Sequence, residues 1–547
     1  MIRSSLISPA ETGIAMFSRI CLLLTGLVLL AGTAGVLAGT ASADEEPGRP
    51  FAPRSTARAR HEDTGAESWY SIEYEGQAAG YELVRTLRIK AEDKGYPSVT
   101  TQFQRTRQTR LNLQRSGTAV SLSATLETLE TANGQLESWE LSRTGADGSF
   151  IGRRGVWDRQ RRAMQVFDTS DSAAPPVLIP MAAQPYSPIF TEWPGSLVLE
   201  GNRPWKGGVF FPESSISADV EVQRLGKSSL QRPDGSRPSA VRLSWQPVSA
   251  PDLKTRLYLD AENGDCLLVE QPLLGGTLRL IRSTPEAALG LAERESLDLQ
   301  LQALLPVRGR LPEAISERGV RLEVLWKTPS IVSLPDAEFQ TVESRERGRV
   351  VLICRPARRP AVVEKKQLRN HELYLGASRW IDFEADPVRR LQALAGGGTE
   401  TSANAGHRLT AFVHKRMQFS AFTTQLQPAS RVAARLQGDC TEQTLLLCAL
   451  LRGRGIPARA AAGFVYVPQL NAFAPHLWTE AWLEGMWFPL DSTMPPEVPQ
   501  PLLLKVTDSP LNNDLSGSVS LFAPLLSLCG QAEVVLSDLQ PGGDSDK

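Results

Sequence analysis

Two textures divide the chain. From Trp69 to about Arg282, short alternating apolar and polar runs are separated by turns, the period-2 pattern of half-buried strands. Tyr81, Leu83, Leu87 and Ile89 occupy odd positions of one such run. In RLYLDAENGDCLLVE two strand-like segments flank Asn263-Gly264, a dipeptide that tolerates the positive φ angles of a tight hairpin. Further strands are expected at Arg321 to Trp326 (RLEVLW) and Arg349 to Cys354 (RVVLIC). At Asp386-Pro387 the spacing becomes helical: an N-cap followed by Pro at the first helical position opens a helix that runs to Gly396-Gly397-Gly398. A second helix carries Ala405, Leu409, Phe412 and Val413 on one face, and Ser430 is expected to cap a short helix ending at Gly438.

The stretch GDCTEQTLLLCALLRGRGIPAR, from Gly438, holds the candidate nucleophile. Asp439 and Glu442 stand in the capping-box relation, which puts Cys440 at the first position of a helix. Unpaired amides and the positive end of the helix dipole stabilise a thiolate there, so a depressed thiol pKa is expected. Leu445 to Leu451 is apolar all round and reads as a buried helix; Cys448, about 12 Å along it, is out of disulfide reach of Cys440 and reads as packing. His407 and His414 are about 10.5 Å apart along their helix, too far to share one ion, and read as ordinary surface or boundary histidines.

After a strand, ARAAAGFVYV, and a loop from Pro468 to Pro475, the run HLWTEAWLEGMWFPLD reads as a hairpin turning at Glu484-Gly485. A two-residue turn pairs Leu483 with Met486, and counting back makes His476 a diagonal neighbour of Asp491 on one face. A thiol at a helix start and an oriented His and carboxylate on adjacent strands are the parts of a Cys440, His476, Asp491 triad. The Cys440 backbone N–H is the expected first oxyanion donor, with no second donor assigned.

Composition changes the picture in three ways. With 547 residues, 41% of them hydrophobic, there is material for several packed cores. The net charge of -1 leaves no polycationic surface for nucleic acid; the run Arg153, Arg154, Arg159, Arg161 and Arg162 reads as a solvated strand face. The apolar stretch Ile20 to Ala38, followed by Ala41-Ser42-Ala43, has the layout of a signal peptide cleaved near Ala43, implying export to periplasm or exterior with no later transmembrane helix. Cys21 would leave with it; Cys266, Cys354, Cys440, Cys448 and Cys529 remain, an odd number that implies a free thiol or pairing between chains. The expected organisation is signal peptide 1–43, flexible leader 44–66, β-rich domain 67–290, second β segment 291–369, catalytic domain 370–500, and C-terminal strand segment and polar tail 501–547.

The ordered blocks Gly438-Asp439-Cys440, Gly455 to Arg459, Gly463 to Val467, His476, Trp478, Glu480, Trp487, Leu490-Asp491 and Thr493 resemble the transglutaminase-like superfamily, over about a quarter of the chain. The resemblance implies a papain-like α+β domain and carries the family's catalytic Cys, His and Asp onto Cys440, His476 and Asp491. It implies an exported thiol-dependent amide hydrolase or acyltransferase acting on a peptide, protein or envelope polymer. The same fold also serves as a non-catalytic binding or assembly scaffold, and both readings stay open here. No cofactor or metal is implied, because no EF-hand-like loop or dense carboxylate cluster is visible.

Overall fold

The computed structural model describes residues 66–92, 99–115, 118–144, 150–169, 176–189, 203–213, 215–232, 235–248, 254–273, 275–294, 297, 302–311, 319–327, 333–357, 368–396, 401–419, 427–495, 502–512 and 517–537. The expected signal peptide, all of the leader but Ala66, and the last ten residues of the polar tail lie outside them.

Strands β1 to β14, between Ala66 and Ser283, form one antiparallel sheet. The chain meanders outward from β1 (Ala66–Tyr74) through the strands up to β8 (Val177–Pro180), then returns from β9 (Trp205–Phe211) to β14 (Gly276–Ser283), which pairs with β1. Tyr186 bridges Gln135 and Val209, joining the two halves a second time. Alternation explains the strands: in β12 (Thr255–Asp260) Thr255, Leu257 and Leu259 are buried while Arg256 is exposed. The expected hairpin at Asn263-Gly264 is present in a looser form, since β12 ends at Asp260 and β13 starts at Cys266, with Asp260 accepting the Glu262 amide across a longer turn. Helix α1 (Pro285–Arg294) packs on β1 and β2 (Gln77–Glu92).

The second sheet has nine strands drawn from three stretches of sequence. In spatial order they are β17 (Gln340–Glu346), β18 (Arg349–Cys354), β16 (Val320–Trp326), β25 (Ala532–Ser537), β15 (Leu305–Arg308), β22 (Ala472–Leu483), β21 (Ala458–Val467) and β24 (Leu503–Ser509), with β23 (Met486–Leu490) hairpinned to β22. β15 is the seam: it runs parallel to β25 on one side and antiparallel to β22 on the other. Two-residue strands β19 (Gln418–Phe419) and β20 (Gln437–Gly438) pair separately.

Four helices cluster at this sheet's β21–β23 end, α3 (Ser402–Arg416) and α5 (Cys440–Arg452) packing on the strands and α2 (Asp386–Ala395) and α4 (Ala429–Arg435) on α5. α5 is packed by β21, β22, α2, α3 and α4, which is why every one of its residues is buried, as its all-round apolar pattern predicts. Three local details differ from expectation. The N-cap of α2 is Ala385, with Asp386 inside the first turn. α4 begins after Pro428 and ends at Arg435 because Leu436 takes a left-handed conformation, while the Ser430 amide is held by Asp382 instead of Ser430 acting as the cap. The expected loop 468–475 is shorter, since β22 already starts at Ala472. A sixth helix, α6 (Gly517–Leu526), covers β24. Among the described residues, no helix is long and apolar enough to cross a membrane.

Candidate active site

Asp439 is the N-cap of α5: its carboxylate accepts the Thr441 amide at 2.8 Å, and Glu442 reaches back to the Asp439 amide at 3.0 Å. This reciprocal box holds Cys440 at the first helical position. Gly438 is required beside it, because a Cβ there would stand 2.4 Å from the Cβ of Glu442. Thr444 bonds the Cys440 carbonyl at 2.7 Å, and Thr479 of β22 donates to the Thr444 carbonyl at 3.2 Å, so the first turn of α5 is tied to the strand beside it. Cys448 packs as expected, with its sulfur 3.7 Å from the Thr479 hydroxyl.

The hairpin turns at Glu484 and Gly485, both at positive φ (55° and 89°), and pairs Leu483 with Met486 and Thr479 with Leu490. That register brings His476 Nε2 to 2.7 Å from Asp491 Oδ2. With Nε2 engaged, the imidazole has Nδ1 left for the sulfur, and the side chains of Cys440 and His476 are hydrogen-bonded; the Leu477 amide also bonds the sulfur. Asp491 Oδ1 accepts both the amide (2.9 Å) and the hydroxyl (2.7 Å) of Thr493. All three sequence-predicted residues therefore meet in one cluster. They are deeply enclosed: Cys440 is 0% exposed, His476 2% and Asp491 5%.

That enclosure reverses one expectation. Burial pushes the Cys440 thiol above its ordinary 9.0, and the Asp439 charge adds to the rise; His476 and the Leu477 amide pull the other way without cancelling it. At His476 burial opposes the charge, but the Asp491 carboxylate outweighs it and holds the imidazole well above its ordinary 6.5. At Asp491 burial would raise the pKa, yet His476 and the two bonds from Thr493 keep it below 3.8. In the closed site the Asp491 carboxylate favours the cationic form of the imidazole, while desolvation favours the neutral form of the thiol beside it.

These directions have a measurable consequence. Stability from the raised His476 is complete below 6.5 and is lost as pH rises through its folded value, while that from Asp491 is present above 3.8 and lost as pH falls through its folded value. Burial likewise raises Cys354, Cys529 and Cys448, the last to about 11, so above 9.0 an unfolded chain sheds protons that the folded chain keeps. Each such thiol steepens the loss of stability by about 1.4 kcal/mol per pH unit. Urea midpoints should be highest between roughly pH 4 and 6.5 and fall most steeply above pH 9. A flat profile from pH 6 to 10.5 would contradict these directions.

The elements around Cys440, His476 and Asp491 carry charged residues of which the sequence reading marks only Arg459 and Glu480, as motif positions. Glu480, two residues beyond Trp478 on the His476 face, binds Lys505 at 2.7 Å and Arg459 at 2.7 Å, and Asp508 binds the same two cations at 2.8 and 2.9 Å. Lys505 lies in LLLKV, and a lysine inside an apolar run is a sequence sign of a paired buried charge. The Trp478 ring stacks on His476 at 6.2 Å between centroids and 25°. His414, read from its spacing as an ordinary surface or boundary histidine, is half-buried and bonds the Ser492 carbonyl at 3.0 Å. The five cysteines among the described residues are buried and none forms a disulfide with another of them, and no group of three or more metal-capable side chains occurs among those residues.

Residues 390–492 match the family model of the transglutaminase-like superfamily core. No curated protein matches the chain. Among solved structures, a candidate cysteine protease from Cytophaga hutchinsonii is 17% identical and aligns over 40% of this chain and 81% of its own, with a TM-score of 0.25. A beta-barrel-like protein of a domain of unknown function, DUF1849, from Brucella abortus is 9% identical over 40% of this chain and 96% of its own, with a TM-score of 0.28. A candidate protease from Parabacteroides distasonis ATCC 8503 is 11% identical over 69% and 68%, at 0.18. Shape similarity this slight says nothing about activity. The segment from 390 to 492, which holds Cys440, His476 and Asp491, is a core domain of the transglutaminase-like superfamily.

Proposed function

We propose that the protein is an exported cysteine hydrolase or acyltransferase of papain-like α+β design, attacking an amide carbonyl of a peptide, protein or envelope polymer. One observation carries the reading: a histidine bonded through Nε2 to a buried carboxylate and through its other side to a cysteine at a helix N-terminus. Export rests on the layout of residues 20 to 43.

In the proposed reaction the Cys440 sulfur, its proton released to solvent as the site opens because the imidazolium already carries its own, attacks the carbonyl carbon, and the developing oxyanion is met by the Cys440 amide at the start of α5. The His476 imidazolium gives its proton to the departing amine as the C–N bond breaks, leaving a thioester. Water, or a primary amine, then attacks the thioester while His476 takes up its proton. The C–S bond then breaks with its electrons on sulfur, the acid (which ionises in solvent) or the new amide leaves, and the thiolate–imidazolium pair is restored. Asp491 keeps the ring aimed and its charge compensated throughout. Because burial is the leading cause of the raised thiol pKa, opening the site to substrate lowers it, leaving the imidazolium and the helix terminus to favour the thiolate.

The full enclosure of Cys440 favours a second reading, a scaffold in which the triad is a fossil. Iodoacetamide separates the two. Under the enzymatic reading Cys440 is labelled below pH 8 through transient opening, and His476→Ala slows the labelling; equal, slow labelling of both proteins supports the scaffold. Ammonia release from a glutamine peptide, with and without a primary amine, then separates hydrolysis from transfer: free carboxylate marks the former and incorporated amine the latter.

A further inference from the structure

Asp491 is aimed by a short loop whose own support lies on a helix far away in sequence. Its Oδ2 is engaged by His476, and its Oδ1 takes two bonds from Thr493, so the carboxylate plane follows the backbone of residues 491 to 493. The Ser492 carbonyl, inside that three-residue clamp, is met at 3.0 Å by His414 Nδ1 from the last turn of α3. A carbonyl only accepts, so Nδ1 carries the hydrogen. α3 is also pressed against the residue before the clamp: Gly406 has no side chain where a Cβ would lie 3.3 Å from Leu490. Ser492 is buried, with water unable to replace a lost partner cheaply.

We infer that His414 is a positioning residue for the triad: through Ser492 it fixes the clamp that aims the Asp491 carboxylate at His476. It touches neither sulfur nor substrate, and the inference rests on the catalytic reading of the triad. A displaced carboxylate lets the imidazole swing, and misplacement of a reacting group by about 1 Å costs up to roughly 100-fold in rate.

The test compares iodoacetamide labelling of Cys440 in the full chain for wild type, His414→Ala, His414→Asn, His414→Gln and His476→Ala, with thermal midpoints alongside. His414→Ala should slow labelling by about tenfold or more. His414→Asn should restore the rate to within about threefold, because its amide nitrogen stands near the place of Nδ1, whereas His414→Gln carries that nitrogen one carbon further and should not. An Asn variant no faster than the Ala or Gln variant overturns the inference, as does a His414→Ala rate equal to wild type while His476→Ala is slow; either result leaves the triad reading intact. Equal rates in wild type and His476→Ala overturn both. Should His414→Ala fail to fold, the Asn and Gln variants alone decide: Asn faster supports the inference, equal rates overturn it.

Discussion

Glu480→Gln should lower the stability of the fold by about 3 to 5 kcal/mol, the range for stripping one partner from a buried ion cluster. Glu480 and Lys505 are each 1% exposed, and Glu480 accepts from Lys505 and twice from Arg459. Removing its charge leaves two cations sharing Asp508, whose side chain is 26% exposed and partly solvated. Arg459 has a second support, the face of Trp487 at 4.0 Å, whereas among the described residues the Lys505 ammonium is bound by these two carboxylates alone and is desolvated with Glu480. The double variant Glu480→Gln with Lys505→Met should be less unstable than the sum of the two single changes, by about 0.5 to 3 kcal/mol of coupling, since the orphaned cation is gone. Urea midpoints of the four proteins measure this. A Glu480→Gln midpoint within experimental error of wild type would mean that the cluster does not anchor β22 and the triad histidine on it.

The second large effect is chemical. Asp491→Asn should lower amide turnover by about 10^3- to 10^4-fold while leaving the shape of the site nearly unchanged. Burial lowers the His476 pKa, and the carboxylate charge is the largest influence raising it against that burial. Without it, desolvation dominates and the imidazole pKa should fall below its ordinary 6.5, so that proton donation to the leaving amine is lost at neutral pH. Histidine NMR titration and ammonia release from a glutamine peptide check the two halves independently. Turnover within tenfold of wild type, or an unmoved His476, would remove Asp491 from the mechanism.

Much of the candidate site is legible in the sequence because its key contacts are short-range. A capping box spans three residues, so Asp439 and Glu442 place Cys440 with no knowledge of the remaining chain. A two-residue turn sets hairpin parity, so Glu484-Gly485 is enough to bring His476 and Asp491 to one face. The limits follow the same logic. Ser430 reads wrongly as a cap because a Ser before a helical run is a good local signal, and only Asp382, 48 residues away, claims its amide. The role of His414 leaves no trace at all, since the carbonyl it binds lies 78 residues downstream.

By itself the sequence determined the local instructions: an alternating β-rich half, a buried helix with a cysteine at its start, and a hairpin carrying the paired histidine and carboxylate. Tertiary structure alone decided that β15 and β25, 225 residues apart at the Arg308–Glu533 pair, join one sheet, that Glu480 and Lys505 neutralise each other, and that Cys440 is sealed. It also reversed the direction of the thiol pKa. The reason is physical: backbone periodicity and caps act over a few residues, whereas desolvation is the sum of everything packed around an atom, and that sum exists only once distant segments have met.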